Sequence, residues 1–235
     1  MTAALAAGLG LLLMNAPIED RVANARAAKE AGLVSLCKSL GFTGLPKRLY
    51  IRVFKEEKLL ETWGYNPKTQ KYTLVRSYKI AAASGTVGPK RELGDGQVPE
   101  GFYRVSAFNP QSNFHLSLRV NYPNQADHKF TAADPGGDIY IHGNRVSIGC
   151  MAMTDDKIKE IYLLALAAKS NPIPVHIFPA KLTAPNLSRL IARHPAHAGL
   201  WKSMKPMFDE FEKHRRVPAV RIEKNGRYSL VAPRE

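Results

Sequence analysis

The hydrophobic pattern changes its period along the chain and so divides it into helical and strand-rich parts. Between Ile18 and Leu40, apolar residues recur every three or four positions, with Asp20 near the start and Gly41 after the end. This spacing predicts a helix, and residues 42–47, which contain Gly and Pro, are typical of a linker. The predicted apolar face consists of Val22, Ala25, Ala28, Leu33, Leu36 and Leu40.

From residue 48 onward, apolar and polar positions alternate, which is typical of strands with one buried face. The first three segments predict an antiparallel meander. Ser84–Gly101 then interrupts the series with five glycines and two prolines, and so long a loop inside a compact domain is usually functional or mobile. The predicted strands are Arg48–Phe54, Lys58–Tyr65, Tyr72–Ala83, Phe102–Phe108, Phe114–Asn121, Asp138–His142 and Ile173–Phe178, with Asn109-Pro110 separating the fourth from the fifth.

Helical spacing returns after Thr154, which is a suitable N-cap. Asp155 and Asp156 follow it and favour the positive end of a helix dipole. The elements predicted beyond this helix are two more helices, Pro185–His194 and Gly199–His214, and a hairpin around Asn225-Gly226, the preferred pair of a type I′ turn.

These elements predict an α+β fold with one β-rich body and helices added at its N- and C-terminal ends. The N-terminal helix and linker occupy residues 17–47, the body residues 48–179, and the C-terminal helices and hairpin residues 180–235. Residues 1–16 contain an apolar run as long as the core of a signal peptide and too short to span a membrane. They predict an export segment or its remnant. The alternative is a first buried helix of a cytosolic protein.

The composition is that of an ordinary globular protein, except for its charge. Apolar residues make up 45% of the 235, but the formal net charge is +14. A strongly basic surface attracts nucleic acid, anionic lipid or an acidic polymer. Because no zinc-finger spacing, RNA-binding aromatic segment or basic region with heptads accompanies the charge, no nucleic-acid partner is predicted. The carboxylates and phosphates of a bacterial cell wall suit the charge equally well.

The two cysteines lie in different sequence settings. Cys37 lies on the apolar side of the first helical pattern, where a free cysteine is usually a small buried hydrophobe. Cys150 lies in a Ser-x-Gly-Cys turn. In an exported protein a disulfide between the two is the alternative, but it would occupy the thiol that the next motif predicts to be reactive.

The stretch I-Y-I-H-G-N-R-V-S-I-G-C, residues 139–150, brings one histidine and one cysteine together across a turn. A thiol is a nucleophile only as thiolate, so Cys150 needs a base, and His142 is the nearest candidate. Arg145 would add positive potential, and Gly149 would let the amides of residues 149 and 150 converge on an oxyanion. Ser147 would support the turn or hydrogen-bond the imidazole, which a backbone carbonyl would orient.

Each residue of this pair also has a structural interpretation, Cys150 as a buried thiol and His142 as a core histidine with satisfied hydrogen bonds. The sequence alone leaves this alternative open. A metal site is the other alternative, with His115, His128, His142 and Cys150 as ligands, but no pair of them has the short spacing of a structural zinc site.

The segment H-G-N-R-V-S-I-G-C-M-A-M resembles the active-site signature of the L,D-transpeptidase (YkuD-type) catalytic domain, in which His-Gly precedes Ser-x-Gly-Cys-x-Arg. Gly88–Tyr103 and Asn109–Asn124 resemble the same family, so the resemblance extends over Lys47–Pro179. The His-to-Cys distance is shorter than in most members, Ala152 stands at the signature's arginine, and Ile148 replaces a common histidine. These departures resemble the YafK-type branch, which includes an amidase that detaches lipoprotein from peptidoglycan.

The resemblance implies a β-rich catalytic domain that uses no metal or other cofactor. Cys150 would attack the carbonyl of meso-diaminopimelate in a peptidoglycan stem peptide, and His142 would move the proton. The loop Ser84–Gly101 would cover the substrate. The residues expected to bind substrate are Lys90, Arg91, His115, Arg119, Tyr122, Gly143 and Arg145, although solvated loop charges are the alternative for Lys90 and Arg91.

We therefore predict an exported enzyme of the periplasm or cell envelope that forms a thioester at Cys150 and passes it to water, detaching peptidoglycan-linked protein, such as a lipoprotein. Transpeptidation that forms 3-3 crosslinks or lipoprotein attachments is the first alternative. A non-catalytic peptidoglycan-binding module is the second. An uncleaved N-terminal segment would add a peripheral contact with the membrane.

Overall fold

The computed structural model describes residues 20–131 and 134–231. The predicted export segment, residues 1–16, lies outside the described residues. The described chain combines one large sheet with several helices, which confirms the α+β class. None of the helices in these residues is long and apolar enough to cross a membrane.

The predicted N-terminal helix forms, but a π-helical turn divides it and shifts its buried face. Arg21–Ala25 (α1) and Ala31–Ser39 (α2) are α-helical, and the π turn Arg26–Glu30 joins them. The carboxylate of Asp20 caps the start by accepting two backbone N–H groups. Because a π turn is wider than an α turn, it moves later residues around the axis, and Ala28 is exposed, contrary to the prediction. The helical residues buried against the core are Ala25, Leu33 and Cys37.

The strand-rich body forms where alternation predicts it. Its strands are β1 (Leu49–Phe54), β2 (Leu59–Asn66), β3 (Lys71–Lys79), β4 (Gly101–Ser112), β5 (His115–Val120), β6 (Tyr140–His142), β7 (Met151–Ala152) and β8 (Pro174–Phe178). They form one sheet in the order β3-β2-β1-β8-β4-β5-β6-β7. β1 pairs in parallel with β8, and β6 pairs in parallel with β7, whereas the other neighbours are antiparallel.

The sheet curls until its two ends meet. Ala82, beyond the end of β3, forms a bridge with Ala152 of β7. The prediction that the third strand reaches Ala83 is therefore wrong, because the chain leaves β2 after Lys79 and turns toward β7. The predicted break at Asn109-Pro110 is also wrong, since β4 continues through it with an irregular register against β5. Pro110 lies beyond the part of β4 that pairs with β8, where its missing N–H interrupts no ladder on that side.

Helix α3 (Asp155–Ala167) follows β7 and buries one face against the sheet. Thr154 occupies the N-cap position as predicted, but with a φ of +79° its side chain does not cap the helix. Its backbone N–H instead donates to the carbonyl of Asn144 at 2.9 Å. The threonine therefore ties the start of α3 to the loop that follows β6.

The C-terminal part consists of α4 (Ala184–Arg193), α5 (Ala198–His214), β9 (Val220–Ile222) and β10 (Tyr228–Leu230). Trp201 and Phe208 of α5 belong to a buried cluster that also contains Phe54 of β1 and Phe178 of β8. The C-terminal helices and the sheet thus share a core. The division of the chain at residue 179 stays a prediction.

The predicted terminal hairpin forms with a different turn. β9 and β10 pair antiparallel, and the N–H of Gly226 donates to the carbonyl of Glu223 at 2.8 Å. Lys224 and Asn225 are therefore the central residues of the turn, so that Asn225-Gly226 is not the central pair of a two-residue type I′ turn.

Both cysteines are free thiols. Cys37 lies in α2 and is fully buried in the core, which confirms its prediction as a small hydrophobe. The alternative of a disulfide with Cys150 is therefore wrong for this structure.

Candidate active site

The pairing of β6 with β7 brings Tyr140, His142 and Cys150 to one face of the sheet. His142 lies beside Ala152 in the parallel register, and Cys150 directly precedes β7. Because side chains alternate along a strand, the three residues point to the same side. They border a cleft of about 220 Å³ whose other residues are Asn109, Gln111, Ser112, Asn113, Phe114 and Ser117.

A larger cavity of about 480 Å³ lies between the linker residues 41–48 and residues 65–68. It contains neither the histidine nor the thiol of the motif. The smaller cleft is therefore the candidate active site, because it alone of the two combines a nucleophile with a base.

The imidazole of His142 is oriented by the backbone, as the sequence predicts. Its Nδ1 lies 2.6 Å from the carbonyl oxygen of Gly143. Nδ1 therefore carries the proton and donates, which leaves Nε2 as the acceptor. The ring of Phe114 lies 4.7 Å away, centroid to centroid. Burial lowers the pKa of His142 below its ordinary range, although the bond to Gly143 opposes this, so the imidazole is neutral at pH 7.

The thiol of Cys150 contacts backbone groups of the segment that leads into β6. Its Sγ donates to the carbonyl of Asp138 at 3.4 Å rather than to His142. Burial raises the pKa of the Cys150 thiol, and the N–H of Tyr140 and the charge of Lys90 partly oppose this rise. The thiol and the imidazole that share the cleft are thus both neutral at pH 7.

Ser147 and Ser84 hold the turn that carries the nucleophile. The hydroxyl of Ser147 accepts the N–H of Cys150 at 2.9 Å and donates to the carbonyl of the same residue at 2.6 Å. The N–H of Gly149, whose φ of +100° favours glycine, donates to the hydroxyl of Ser84. Both amides expected to form an oxyanion site are therefore engaged by serine hydroxyls. The prediction that they converge on one open point is wrong for this conformation.

Gly143 serves the framework rather than the substrate. It is buried, and its N–H donates to the carbonyls of Phe114 and Leu116. A Cβ atom here would lie 2.5 Å from Oδ1 of Asp155 and 2.6 Å from the carbonyl of Phe114. Only glycine fits between β5 and the start of α3. The prediction of a substrate contact at Gly143 is corrected because the residue is buried and its N–H and carbonyl both form hydrogen bonds within the protein.

Lys90 and Arg91 are already engaged within the structure. Nζ of the nearly buried Lys90 lies 2.6 Å from Oδ1 of Asp95, and Arg91 stacks over the ring of Phe130 at 5.0 Å. The charge of Lys90 nevertheless acts on the Cys150 thiol. The expectation that the loop covers the substrate stays a prediction. The alternative of a solvated charge is wrong for Lys90, because its side chain is nearly buried. The substrate contacts expected of both residues remain predictions.

His115, Arg119 and Tyr122 occupy three different environments. His115 and Arg119 alternate with Ser117 on the face of β5 that borders the cleft. Arg119 is half exposed and lies 3.6 Å from the carboxylate of Asp138. Tyr122 is buried, and its hydroxyl donates to the carbonyl of Pro135. This corrects Tyr122 from a substrate contact to a support for the segment before β6.

Arg145 is exposed on the loop between β6 and the nucleophile. Its backbone N–H donates to the side chain of Asn144. The substrate contacts expected of Arg145, Arg119 and His115 remain predictions.

The structure places several residues beside the thiol and the imidazole that the sequence did not predict as part of the site. Asp138 and Tyr140 contact Cys150 through backbone groups, and Phe114 packs on His142. A signal for Tyr140 is present, because the alternation in I-Y-I-H puts it on the face of the histidine. No comparable signal exists for Ser84, since its partner lies 65 positions away.

The described part of the chain contains no group of three or more His, Cys, Asp or Glu side chains arranged to hold a metal ion. Of the four residues of the metal alternative, His142 and Cys150 border the same cleft, while His128 is exposed on a separate turn.

Comparison with known proteins identifies relatives of this chain. The family model of the L,D-transpeptidase catalytic domain, YkuD, matches residues 48–177. The Escherichia coli strain K12 protein named "Putative L,D-transpeptidase YafK" is 36% identical over 190 residues, which cover 79% of this chain and 74% of that protein.

Solved structures that align with this chain include the helical cell shape determining protein Pgp2 of Campylobacter jejuni. It aligns over 75% of this chain and 73% of its own, at 16% identity and a TM-score of 0.48. Bd1075 of Bdellovibrio bacteriovorus aligns over 68% and 61%, at 22% identity and a TM-score of 0.42.

The chain therefore belongs to the L,D-transpeptidase family. This confirms the family predicted from the H-G-N-R-V-S-I-G-C motif. Membership indicates an enzyme of the transpeptidase type whose function is related to peptidoglycan.

Proposed function

We propose that this protein is a cysteine amidase of the cell envelope that detaches protein from peptidoglycan stem peptides. Sγ of Cys150 attacks the carbonyl of meso-diaminopimelate, and its proton passes to Nε2 of His142. The carbon–nitrogen bond then breaks, and the leaving amine takes that proton. Water attacks the resulting thioester, which releases a carboxylate on the stem peptide and restores the thiol.

The observation that carries this proposal is the shared cleft of Cys150 and His142. The bond from Nδ1 to Gly143 leaves Nε2 as the proton acceptor, which is the atom that a general base needs. The half-exposed Arg119 lies 3.6 Å from the carboxylate of Asp138, and a carboxylate of the substrate would compete with Asp138 for this guanidinium.

Ala152 supports hydrolysis over crosslinking. It is fully buried in β7, where the family signature has an arginine, so no guanidinium at this position can hold the carboxylate of an acceptor. The 36% identity to YafK supports the same branch of the family. Transpeptidation onto an amine acceptor remains the alternative, because it proceeds through the same thioester.

Incubation of the purified protein with sacculi that carry covalently bound protein tests the proposal. We expect mass spectrometry to find released protein with the diaminopimelate bond cleaved and, in heavy-oxygen water, one heavy oxygen in the new stem carboxylate. New crosslinked dimers without heavy oxygen would instead establish the transpeptidase. Binding to sacculi with no covalent change would reject both reactions in favour of a binding module.

A further inference from the structure

A buried carboxylate anchors the end of the long loop 84–100. The Glu100 side chain is fully buried, and its Oε1 accepts the N–H of Gly88 at 2.7 Å. Its Oε2 accepts the indole N–H of Trp201 at 2.7 Å. Oε1 also lies 3.2 Å from Nζ of Lys55, in the turn after β1. One carboxylate therefore joins the loop, the sheet and helix α5.

Lys55 closes the loop from the opposite side. Its Nζ donates to the carbonyls of Gly88 and Val98, at 2.5 and 2.7 Å, and its side chain is 7% exposed. Because Gly88 and Val98 lie near the two ends of the loop, a single ammonium group draws these ends together. A buried ion pair is stable only when its remaining donors and acceptors are satisfied, and here backbone groups of the loop and the indole of Trp201 satisfy them.

The C-terminal part packs directly on the same loop. The ring of His197 lies 5.3 Å from that of Trp201, and its Nε2 is 2.9 Å from the position that a Cβ atom of Gly88 would take. A second contact comes from the terminal hairpin, where Arg227 lies 4.7 Å from the ring of Phe130, the ring that also carries Arg91 of the loop. His197, Trp201 and Arg227 all lie beyond residue 177, outside the region that matches the family.

The loop in turn contacts the turn of the nucleophile. The hydroxyl of Ser84 accepts the N–H of Gly149, and the carbonyl of Gln97 lies 3.3 Å from the position of a Cβ atom on Gly149. The charge of Lys90 acts on Cys150. A displacement of the loop would therefore move groups that hold or polarise the thiol.

We propose that Lys55, Glu100 and Trp201 are positioning residues, through which helix α5 holds the loop 84–100 against the turn of Cys150. The effect on catalysis rests on the proposed function, whereas the restraint on the loop does not. The C-terminal helices thereby gain a role at a site to which they contribute no catalytic group.

The variant Trp201→Phe tests this role, because it removes the indole N–H and keeps an aromatic ring. Oε2 of Glu100 then loses its buried donor, and we expect amides within residues 84–100 to exchange with deuterium about tenfold faster or more. Trp63→Phe is the matched control. Its indole N–H also donates to a glutamate, Glu61, at 2.9 Å, but within β2. The control should leave exchange in the loop unchanged.

Activity on sacculi provides the second measurement. For Trp201→Phe we expect a fall in kcat of about tenfold with the variant still folded, since small displacements at a catalytic centre are costly. Trp63→Phe should retain the wild-type kcat. If Trp201→Phe shows faster loop exchange but the wild type has no activity on sacculi, the proposed function is rejected and the restraint on the loop is retained. Unchanged loop exchange in Trp201→Phe, or an equal change in Trp63→Phe, would overturn the inference.

Discussion

The reactivity of single residues in the cleft follows from burial. The pKa of His142 is lowered and that of Cys150 is raised, so both effects favour the neutral forms. A preformed thiolate–imidazolium pair is therefore not the resting state. The thiol must lose its proton to His142 as the bond to the substrate carbon forms, which makes the imidazole a general base.

The pH dependence of the reaction tests this state. The active imidazole is neutral and its pKa lies below 6.5. We therefore expect kcat/KM to increase with pH below pH 6.5 and then to stay level through pH 7. Ultraviolet absorbance should detect no thiolate at pH 7 when wild type is compared with Cys150→Ala. A thiolate signal at neutral pH, lost in His142→Ala, would establish an ion pair instead.

Replacement of the nucleophile should separate chemistry from stability. We expect Cys150→Ala to abolish product formation while the midpoint of urea unfolding stays close to that of the wild type, since its side chain is only partly buried. Cys37→Ala is the matched control. It should remain active but lose about 1–2 kcal/mol of unfolding free energy, because the sulfur it removes is fully buried. Product formation by Cys150→Ala would reject the mechanism.

At the scale of elements, the site depends on how closely β5, β6 and α3 approach one another. The N–H of Met153 donates to the carbonyl of His142, and the carboxylate of Asp155 accepts the N–H of Asn144. These bonds join the chain on both sides of the nucleophile. Gly143 lies at their centre, where no side chain fits.

Gly143→Ala should therefore damage both stability and activity. The added methyl group must displace Asp155 or the backbone of Phe114, at a cost of about 1–3 kcal/mol in unfolding free energy. It should also turn the carbonyl that orients His142 and so lower kcat. Gly137→Ala is the control, because a Cβ atom there meets nothing within 4 Å. Equal urea midpoints for the two variants would contradict this account.

At the scale of the whole molecule, buried titratable groups connect the sheet to the C-terminal helices. Nδ1 of His176 in β8 lies 2.7 Å from the hydroxyl of Tyr50 in β1, and the ring of Tyr50 packs on Phe211 of α5. Burial, with the nearby charge of Arg52, lowers the pKa of His176 to about 3. Between about pH 6.5 and 3, the folded protein therefore keeps this imidazole neutral, whereas the unfolded chain protonates it.

The free energy of unfolding should consequently decrease as pH falls, because the unfolded chain protonates His176 and the folded protein does not. The contribution of His176 is complete above about pH 6.5 and is lost progressively between pH 6.5 and 3, by ~3–5 kcal/mol in all. Asp127, whose pKa burial raises from 3.8 to about 6, has the opposite slope between about pH 6 and 3.8. The difference in urea stability between wild type and His176→Gln should isolate the histidine. The same pH slope in both proteins would show that it does not titrate on unfolding.

Periodicity and turn chemistry were sufficient for most elements, because apolar spacing records which side of each helix or strand is buried. They were insufficient at the π turn after Ala25, at β7 and at the end of β3. A two-residue strand such as β7 is too short to show a period. Its partners, Ala82 and β6, are separated from it along the chain but adjacent in the curled sheet.

The local sequence determined the α+β class, the family and the pairing of His142 with Cys150 in one stretch, because each depends on residues close together in the chain. Only the tertiary structure decided what surrounds that pair. The N–H of Gly149 donates to Ser84, and Lys90 forms an ion pair with Asp95. Trp201 contacts the loop by donating a hydrogen bond to Glu100. A local pattern shows which face of a strand is buried, whereas these contacts depend on which distant segment lies opposite.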